Sequence, residues 1–297
     1  MKKVESTIMD DTFIQVKKNS IDQLLKDPHI LNILSQYELK REIVEEYWSD
    51  FLNYHEDIVT CDHCQGLQFC PKVSKGMKKQ LTFQNNEMIL SILPCPKGHA
   101  SFENQDILSQ IILKNVEDEI LLTKMSDLTM LKQPKSNVKT VIAQLVQIIE
   151  NPKQKGIYLY GNPGTGKSTL MGFLIRELAL RKVKCGYIHF PTYLMDIKSS
   201  FGQDSNYIDQ LKNVDFLVID DVGGESATPW SRDEILSSIL GYRAQNKKTT
   251  CFTSVYGFND IQQYYITKPN EQMRVARLID RMKALCNEVA LIGSDLR

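Results

Sequence analysis

The stretch GNPGTGKST, from Gly161 to Thr169, decides the fold predicted for this chain. Its first eight residues fit G-x-x-x-x-G-K-[ST], in which glycines let backbone N–H groups turn toward a phosphate and the next helix adds its positive dipole end. Lys167 is expected to reach the β- and γ-phosphates of ATP, and the Ser168 hydroxyl to bind Mg²⁺. The residues expected to line the nucleotide are Gly161, Asn162, Pro163, Gly164, Thr165, Gly166, Lys167, Ser168 and Thr169.

Strand and helix patterns alternate around this phosphate loop, which indicates an α/β domain with a parallel sheet flanked by helices. GIYLY precedes the loop, and the helix predicted after it has Leu170, Phe173, Leu174 and Leu178 on one face. The other strand candidates are CGYIHF, DFLVID, TTCFTS and EVALIG. EVALIG lies a few residues before the end of the sequence, so no C-terminal helical lid is expected.

Two carboxylates follow the apolar run FLVI, at the end of a strand where open α/β sheets bind ligands. Asp220 is expected to hold Mg²⁺, and Asp221 to orient or deprotonate the attacking water. Glu225, in the following GGES, is either a further acidic member of this site or a polar loop residue.

The composition places limits on the function. The length of 297 residues fits two domains, and 42% hydrophobic with 24% charged residues is typical of globular proteins. Basic and acidic residues number 36 each, which argues against a wide duplex-DNA surface but leaves a local groove open. Neither a membrane-spanning run nor a secretion signal is present, so we expect a cytoplasmic protein with no membrane partner.

The expected domains are residues 1–103, a small helical, zinc-binding domain; residues 104–135, a linker; and residues 136–297, the ATPase domain. Residues 20–56 are predicted to be helical, with Ser20 and Asp27 as N-caps. Their apolar positions fit a helix packed on its own domain, and their aromatic residues also fit a partner-binding face. These aromatic residues are Tyr37, Tyr47, Trp48, Phe51 and Tyr54.

Four of the seven cysteines fall between Cys61 and Cys95, a clustering that indicates zinc rather than disulfides. Tetrahedral Zn²⁺ needs four ligands, and Cys61, Cys64 and Cys95 are the first three candidates. The fourth is Cys70 or His99, with His63 less suitable because it lies between the first two cysteines. Cys185, Cys251 and Cys286 lie in or beside apolar elements and are expected in the core.

The chain resembles the bacterial helicase loaders, a DnaC/DnaI/IstB-like group of AAA+ ATPases. The resemblance is carried by GNPGTGKS, LVIDDVGGES, TTCFTSVYGF and RVARLIDRMKALC, and by the cysteines ahead of the ATPase region. It implies a protein whose N-terminal domain, residues 1–103, binds the replicative hexameric helicase. With ATP it would deliver this helicase to single-stranded DNA during primosome assembly at replication initiation or restart. A histidine between the cysteine pairs is a zinc ligand in some relatives, and VSKGMKKQLTFQNNE contains none.

Arg274, Arg277 and Arg281 share one helical face, which is either solvated or holds an arginine finger. On the family motif Arg281 matches the finger and Arg277 is a second contact, so the ATP site would be shared between self-associated subunits. One position departs from the family, because Val255 stands where an Asn commonly follows Thr-Ser. Either Thr253 or Ser254 then senses the γ-phosphate, or hydrolysis to ADP and phosphate is weak and ATP acts mainly as a switch.

Single-stranded DNA contact is expected from Tyr193, Lys198 and Phe201, which combine cationic and aromatic groups in the region that faces nucleic acid in the loaders. Lys247 and Lys248 are interpreted as a solvated loop pair. Two other functions fit the sequence less well. An IstB-like ATPase in transposition or phage DNA processing is disfavoured by the zero net charge, and a small-molecule kinase by the absence of a visible acceptor site or lid.

Overall fold

The structure is a computed structural model that describes residues 11–131, 136–199 and 206–295. The chain divides into two compact units, the first ending at Glu103 and the second starting at Asn104. Each unit has its own hydrophobic core. No helix within the three described ranges is long and apolar enough to cross a membrane.

Helices form much of the first unit, as the sequence predicts for residues 20–56. Asp27 caps α2, because its carboxylate accepts hydrogen bonds from the backbone N–H groups of His29 and Ile30. Pro28 is tolerated at the first helical position, where a backbone N–H would have no partner within the helix. Ser20 is not an N-cap: it lies inside α1, where its hydroxyl accepts a hydrogen bond from Trp48 Nε1 at 3.1 Å. The four helices are α1 (Asp11–Leu24), α2 (Pro28–Gln36), α3 (Arg41–Glu46) and α4 (Trp48–Asp62).

A β-hairpin completes this unit. Its strands β1 (Met77–Gln84) and β2 (Glu87–Pro94) pair antiparallel, and the two residues between them, Asn85 and Asn86, have φ of 52° and 64°. Two consecutive left-handed residues are what a tight hairpin turn requires, and asparagine tolerates that conformation. The unit's core consists of Ile21, Leu24, Ile30, Ile33, Leu34, Val44, Phe51, Leu81 and Met88.

A six-stranded parallel sheet lies at the centre of the second unit, so the predicted fold class is confirmed for this part of the chain. Its spatial order is β3-β5-β6-β7-β4-β8, and each neighbouring pair is parallel. The strands are β3 (Ile111–Lys114), β4 (Gly156–Tyr160), β5 (Cys185–His189), β6 (Phe216–Asp220), β7 (Thr250–Ser254) and β8 (Cys286–Ala290).

Helices cover both faces of this sheet because successive strand residues point to opposite sides. Ile157 and Leu159 of β4 pack in the core on one side, whereas Tyr158 between them packs in the core on the other. The helices of this unit are α5 (Pro96–Gln110), which begins before the unit boundary, α6 (Asp118–Leu121), α7 (Val138–Glu150), α8 (Lys167–Leu180), α9 (Phe190–Ser199), α10 (Asn206–Asn213), α11 (Ser237–Gln245), α12 (Phe258–Tyr265) and α13 (Gln272–Leu285). A π-helical turn, Trp230–Leu236, leads into α11.

The stretch 104–135, predicted to be a linker, instead contributes to the second unit. It contains the edge strand β3, which pairs with β5, and helix α6, which packs against α8. The packing is close: a Cβ on Gly172 of α8 would lie 1.9 Å from the carbonyl oxygen of Ile120. A four-residue edge strand with a register irregularity gives too little sequence pattern to be recognised. The last strand also differs slightly, ending at Ala290 rather than including Leu291–Gly293.

Candidate functional site

The phosphate loop connects β4 to α8, as the motif requires. Residues Gly161–Gly166 form the turn, and Lys167, Ser168 and Thr169 are the first three residues of α8. Gly164 and Gly166 have φ of 75° and 91°, left-handed values that favour glycine. The Lys167 side chain is buried and folds back over the loop, where its Nζ donates 2.8 Å hydrogen bonds to the carbonyls of Gly161 and Asn162.

Ser168 and Asp220, the two residues predicted to bind magnesium, lie together. Ser168 Oγ donates to Asp220 Oδ1 at 3.0 Å, and the Thr253 hydroxyl donates to the same oxygen. Asp220 ends β6 and is only 3% exposed. Burial raises the pKa of this carboxyl, and the hydroxyl hydrogen bonds and the nearby His189 oppose the shift. A carboxylate and a hydroxyl at this position are hard oxygen ligands of the kind Mg²⁺ prefers.

Asp221 adopts an uncommon backbone conformation. Its φ is 59°, which costs a non-glycine residue on the order of 1–3 kcal/mol and is often found at functional sites. Its backbone N–H donates to Thr253 Oγ1 at 2.9 Å, and its Oδ2 lies 3.7 Å from His189 Nε2. The nearby Asp221 carboxylate raises the pKa of His189. His189 is not among the residues predicted from the sequence, although its place at the end of β5, the strand beside β6, could have indicated it.

The two candidates for the sensor position point in different directions. Thr253 Oγ1 contacts both Asp220 and the backbone of Asp221. Ser254 Oγ instead donates to the carbonyl of Val222 at 2.6 Å and accepts from the backbone N–H of Tyr256 at 3.0 Å. Of these two hydroxyls, therefore, only that of Thr253 forms hydrogen bonds with the acidic residues at the end of β6.

Glu225 is a buried anchor for the loop that follows β6. Its Oε1 accepts a 2.6 Å hydrogen bond from the Tyr265 hydroxyl, and its Oε2 accepts a 2.8 Å hydrogen bond from the backbone N–H of Gly223. Burial raises the pKa of this carboxyl, and these hydrogen bonds oppose the shift. Both carboxylate oxygens are thus engaged within the loop and with α12, which favours a structural role over direct contact with nucleotide.

The three arginines of α13 have different surroundings. Arg281 Nη1 donates to the backbone carbonyl of Ser237 at 2.9 Å and also to its hydroxyl. Arg274 is exposed and lies 3.8 Å from Asp233 Oδ2. Arg277 is exposed on the same helix. Arg277 can thus reach a neighbouring molecule without breaking the Ser237 contacts, whereas Arg281 would first have to release them.

The cysteines of the first unit come from three segments that lie near one another. Cys61, Cys64 and Cys70 line one small cavity, which His63 also lines, while His99 is exposed on α5. Cys95 contacts the loop that follows Cys70, because its backbone N–H donates to the Gly76 carbonyl at 2.8 Å. Within the described ranges, however, no three His, Cys, Asp or Glu side chains converge as a ready-made metal site.

Sulfur atoms of this cluster already accept hydrogen bonds, including Cys64 Sγ from Lys97 Nζ at 3.9 Å. Cys95 Sγ accepts from the backbone N–H of Gly98 at 3.2 Å, and the backbone N–H groups of Lys72 and Gly76 lower the pKa of Cys70. Such hydrogen bonds favour the thiolate, which is the form that binds metal. The remaining cysteines are buried core residues as predicted, namely Cys185, Cys251 and Cys286.

The residues predicted to contact DNA are only partly available. Tyr193 is 4% exposed, so its ring is not accessible for stacking on a base, and that prediction is wrong. Lys198 lies over the Trp230 ring, 5.0 Å from its centroid, whereas Phe201 falls outside the described residues. Lys248 is not simply solvated, because its Nζ donates to the Asn213 carbonyl at 2.6 Å.

Comparisons with protein families and curated proteins give matches of different extent. A family model described as RNA helicase matches residues 157–256, which run from β4 to just after β7. The replicative helicase loader DnaI of Bacillus subtilis (strain 168) is 23% identical over 291 residues, and the match covers 93% of this chain and 91% of that protein.

Solved structures match about two thirds of this chain. A candidate primosome component from Streptococcus pyogenes serotype M3 is 29% identical, with a TM-score of 0.54, and covers 65% of this chain and 98% of its own. A crystal structure of DnaI is 27% identical, with a TM-score of 0.56, and covers 64% of this chain and 99% of its own. The chain is thus similar to bacterial helicase loaders of the DnaI type over nearly its whole length, and the resemblance carried by its motifs is confirmed.

Proposed function

We propose that this protein is an ATP-dependent loader that binds a replicative hexameric helicase and delivers it to single-stranded DNA. The observation that carries the proposal is the extent of the match to the loader DnaI, which covers more than nine-tenths of both chains. A match confined to the nucleotide-binding core would support only ATP binding. This match also includes the first unit, which contributes no residue to the proposed ATP site. That unit is therefore the part of the chain proposed to contact the helicase.

In the proposed ATP site, Lys167 leaves the loop carbonyls and binds the β- and γ-phosphates. The hydrogen bonds that it now makes with Gly161 and Asn162 keep its ammonium group buried over the loop, where the phosphates would lie. Ser168 and Asp220 would hold Mg²⁺, which supplies charge neutralisation on the phosphates when bound. Their 3.0 Å hydrogen bond supports this pairing, because both oxygens already face the same point.

Hydrolysis is assigned to the pair of residues beside this metal position. Asp221 would orient the attacking water, and Thr253 would hold Asp220 and Asp221 in register. Thr253 is only 1% exposed and is hydrogen-bonded to both Asp220 and Asp221. A shift of β7 when the γ-phosphate binds would therefore move these two aspartates together. We therefore propose Thr253 as the residue that replaces the missing asparagine at the sensor position.

The arginine finger is proposed to come from α13 of a neighbouring subunit, which would make ATP the link between copies of this chain. Arg277 is exposed and can act without rearrangement, whereas Arg281 is tied to Ser237 in its own chain. Both stay in the proposal, with Arg281 becoming available once α11 and α13 adjust on assembly. An isolated subunit would accordingly hydrolyse ATP slowly.

Structural zinc is proposed for the first unit, held by Cys61, Cys64, Cys70 and Cys95. The shared cavity of the first three sulfurs and the Cys95 contact with the Cys70–Gly76 loop support this set over one containing His99. The metal would draw the four thiolates together and add folding free energy to a unit with a small core.

Single-stranded DNA contact is proposed for Lys198 and Trp230, which already present a cation and an indole side by side.

The proposal is tested by co-purification with the replicative helicase of the same host. The purified chain and the helicase are mixed with and without Mg-ATP and resolved by size-exclusion chromatography. We expect a complex in which the chain co-elutes with the hexamer, and we expect zinc chelation to weaken it. Separate elution of the two proteins under every nucleotide condition would refute the loader function.

A further inference from the structure

The segment that follows β8 runs alongside the phosphate loop. The backbone N–H of Leu291 donates to the Tyr160 carbonyl at 2.7 Å, which continues the β4–β8 pairing up to the start of the loop. A Cβ on Gly161 would lie 2.4 Å from the Leu291 carbonyl oxygen, so the two backbones are in close contact. Residues 291–295 thus form a wall of the nucleotide site that the motif alone does not reveal.

At the end of this segment, the Asp295 carboxylate lies against the phosphate loop itself. A Cβ on Gly164 would lie 1.9 Å from Asp295 Oδ1 and 2.9 Å from Oδ2, so the carboxylate occupies the space above this glycine. Gly293 packs nearby, with its Cβ position 4.0 Å from the Thr165 side chain. A negatively charged group therefore lies at the loop whose amides and lysine are arranged to receive negatively charged phosphates.

The segment is fixed at its start and accessible at its end. Asn137 holds its start, because Nδ2 donates to the Ala290 carbonyl at 2.7 Å and Oδ1 accepts from the Ile292 N–H at 2.8 Å. Leu291 is 3% exposed and anchors it in the core, whereas Ile292 is 58% exposed and Asp295 is also exposed. Lifting the residues after Ile292 would expose little additional apolar surface.

We infer that Asp295 is an internal competitor for the nucleotide: its carboxylate occupies the phosphate loop, and ATP binds only by displacing it. This inference rests on the proposed ATP binding. A carboxylate and a phosphate accept the same backbone N–H donors, and two anions at the loop repel each other. The apparent affinity for ATP is lowered by the fraction of molecules in which the loop is occupied. Any interaction that draws residues 293–295 away would raise nucleotide affinity.

The test is a calorimetric titration of Mg-ATP into the wild-type chain and the variants Asp295→Asn and Asp295→Ala. Both variants should bind ATP roughly 3–10-fold more tightly, because the competing charge is gone. The matched control is Glu150→Gln, which removes one exposed negative charge at the far end of α7, about 20 Å along the helix from Asn137. Its affinity should equal that of the wild type. Added salt should narrow the gap between wild type and Asp295→Asn, because it screens the repulsion.

The outcomes separate this inference from the proposed function. Equal affinities for wild type and both Asp295 variants, with measurable ATP binding throughout, would overturn the competitor and leave the loader proposal intact. Weaker binding by both variants would show that Asp295 supports the nucleotide rather than opposing it. No ATP binding by any of the four folded proteins would overturn the ATP site and the competitor together.

Discussion

Thr253→Val removes one hydroxyl without changing the shape of the side chain, and it should separate ATP binding from ATP hydrolysis. That hydroxyl donates to Asp220 and accepts from the backbone N–H of Asp221, and the side chain is 1% exposed. Losing a hydrogen bond to a carboxylate and leaving a buried N–H unpaired should together cost about 2–4 kcal/mol of unfolding free energy. A domain stable by about 5–15 kcal/mol would remain folded.

The functional loss should exceed what lower stability explains. Asp221 is held in its left-handed conformation by the hydrogen bond to Thr253, so its carboxylate should move when that bond is absent. A displacement of about 1 Å at a reacting group can cost on the order of 100-fold in rate, and we expect hydrolysis to fall by roughly 10- to 100-fold. Affinity for Mg-ATP should change little, because Lys167 and Ser168 stay in place.

Ser254→Ala is the matched control for this variant. It too removes a fully buried hydroxyl with two hydrogen bonds, one donated to Val222 and one accepted from Tyr256, but neither involves an acidic residue. The assay measures phosphate release per folded molecule in the assembled state, with urea unfolding giving the folded fraction and calorimetry the ATP affinity. If Thr253→Val hydrolyses ATP as fast as Ser254→Ala, the reasoning about Thr253 is refuted.

Three further predictions concern the arginines, the zinc cluster and the buried glutamate. Arg277→Ala should reduce ATP hydrolysis that depends on protein concentration, and Arg274→Ala on the same helix should not; identical concentration curves for both would exclude Arg277 as the finger. Cys70→Ser should lower the zinc content measured by mass spectrometry, whereas His99→Ala should keep it, and the reverse result would replace Cys70 by His99 as ligand. Burial raises the folded-state pKa of Glu225 above its usual 4.5, so this group stabilises the fold at low pH and that contribution is lost as the pH rises through the folded-state pKa. Relative to Glu225→Gln, the wild type should therefore gain unfolding free energy, measured by urea denaturation, as the pH falls from neutral toward 4.5, and a constant difference between the two would contradict the raised pKa.

The core around the phosphate loop was largely predictable because its signals are local. The phosphate loop specifies its own strand, turn and helix, and the apolar run ending in Asp220 identifies the neighbouring buried strand. The Ser168–Asp220 contact follows, since parallel strands end at the same edge of the sheet. These features depend on residue types at fixed spacing, which a single sequence displays directly.

The features that could not be predicted from the sequence depend on contacts between residues far apart in the chain. Strand β3 has four residues, so its place beside β5 comes from the sheet rather than from its own pattern. Tyr193 looks like a stacking residue by type, but helix α9 turns it into the core. His189 and Asp295 each acquire a role only by lying beside a distant partner, Asp221 in one case and Gly164 in the other. Periodicity cannot report such pairs.

The most direct test of the loader proposal is the delivery of the host's replicative helicase to a single-stranded DNA circle coated with single-strand-binding protein. Strand displacement of an annealed oligonucleotide reports loading, with the wild-type chain, Lys167→Ala and no added chain compared at saturating Mg-ATP. We predict displacement with the wild type and only background with Lys167→Ala, because that variant lacks the cation that holds the phosphates. Background displacement by a wild-type chain that binds ATP would contradict the proposal, and so would full activity of Lys167→Ala.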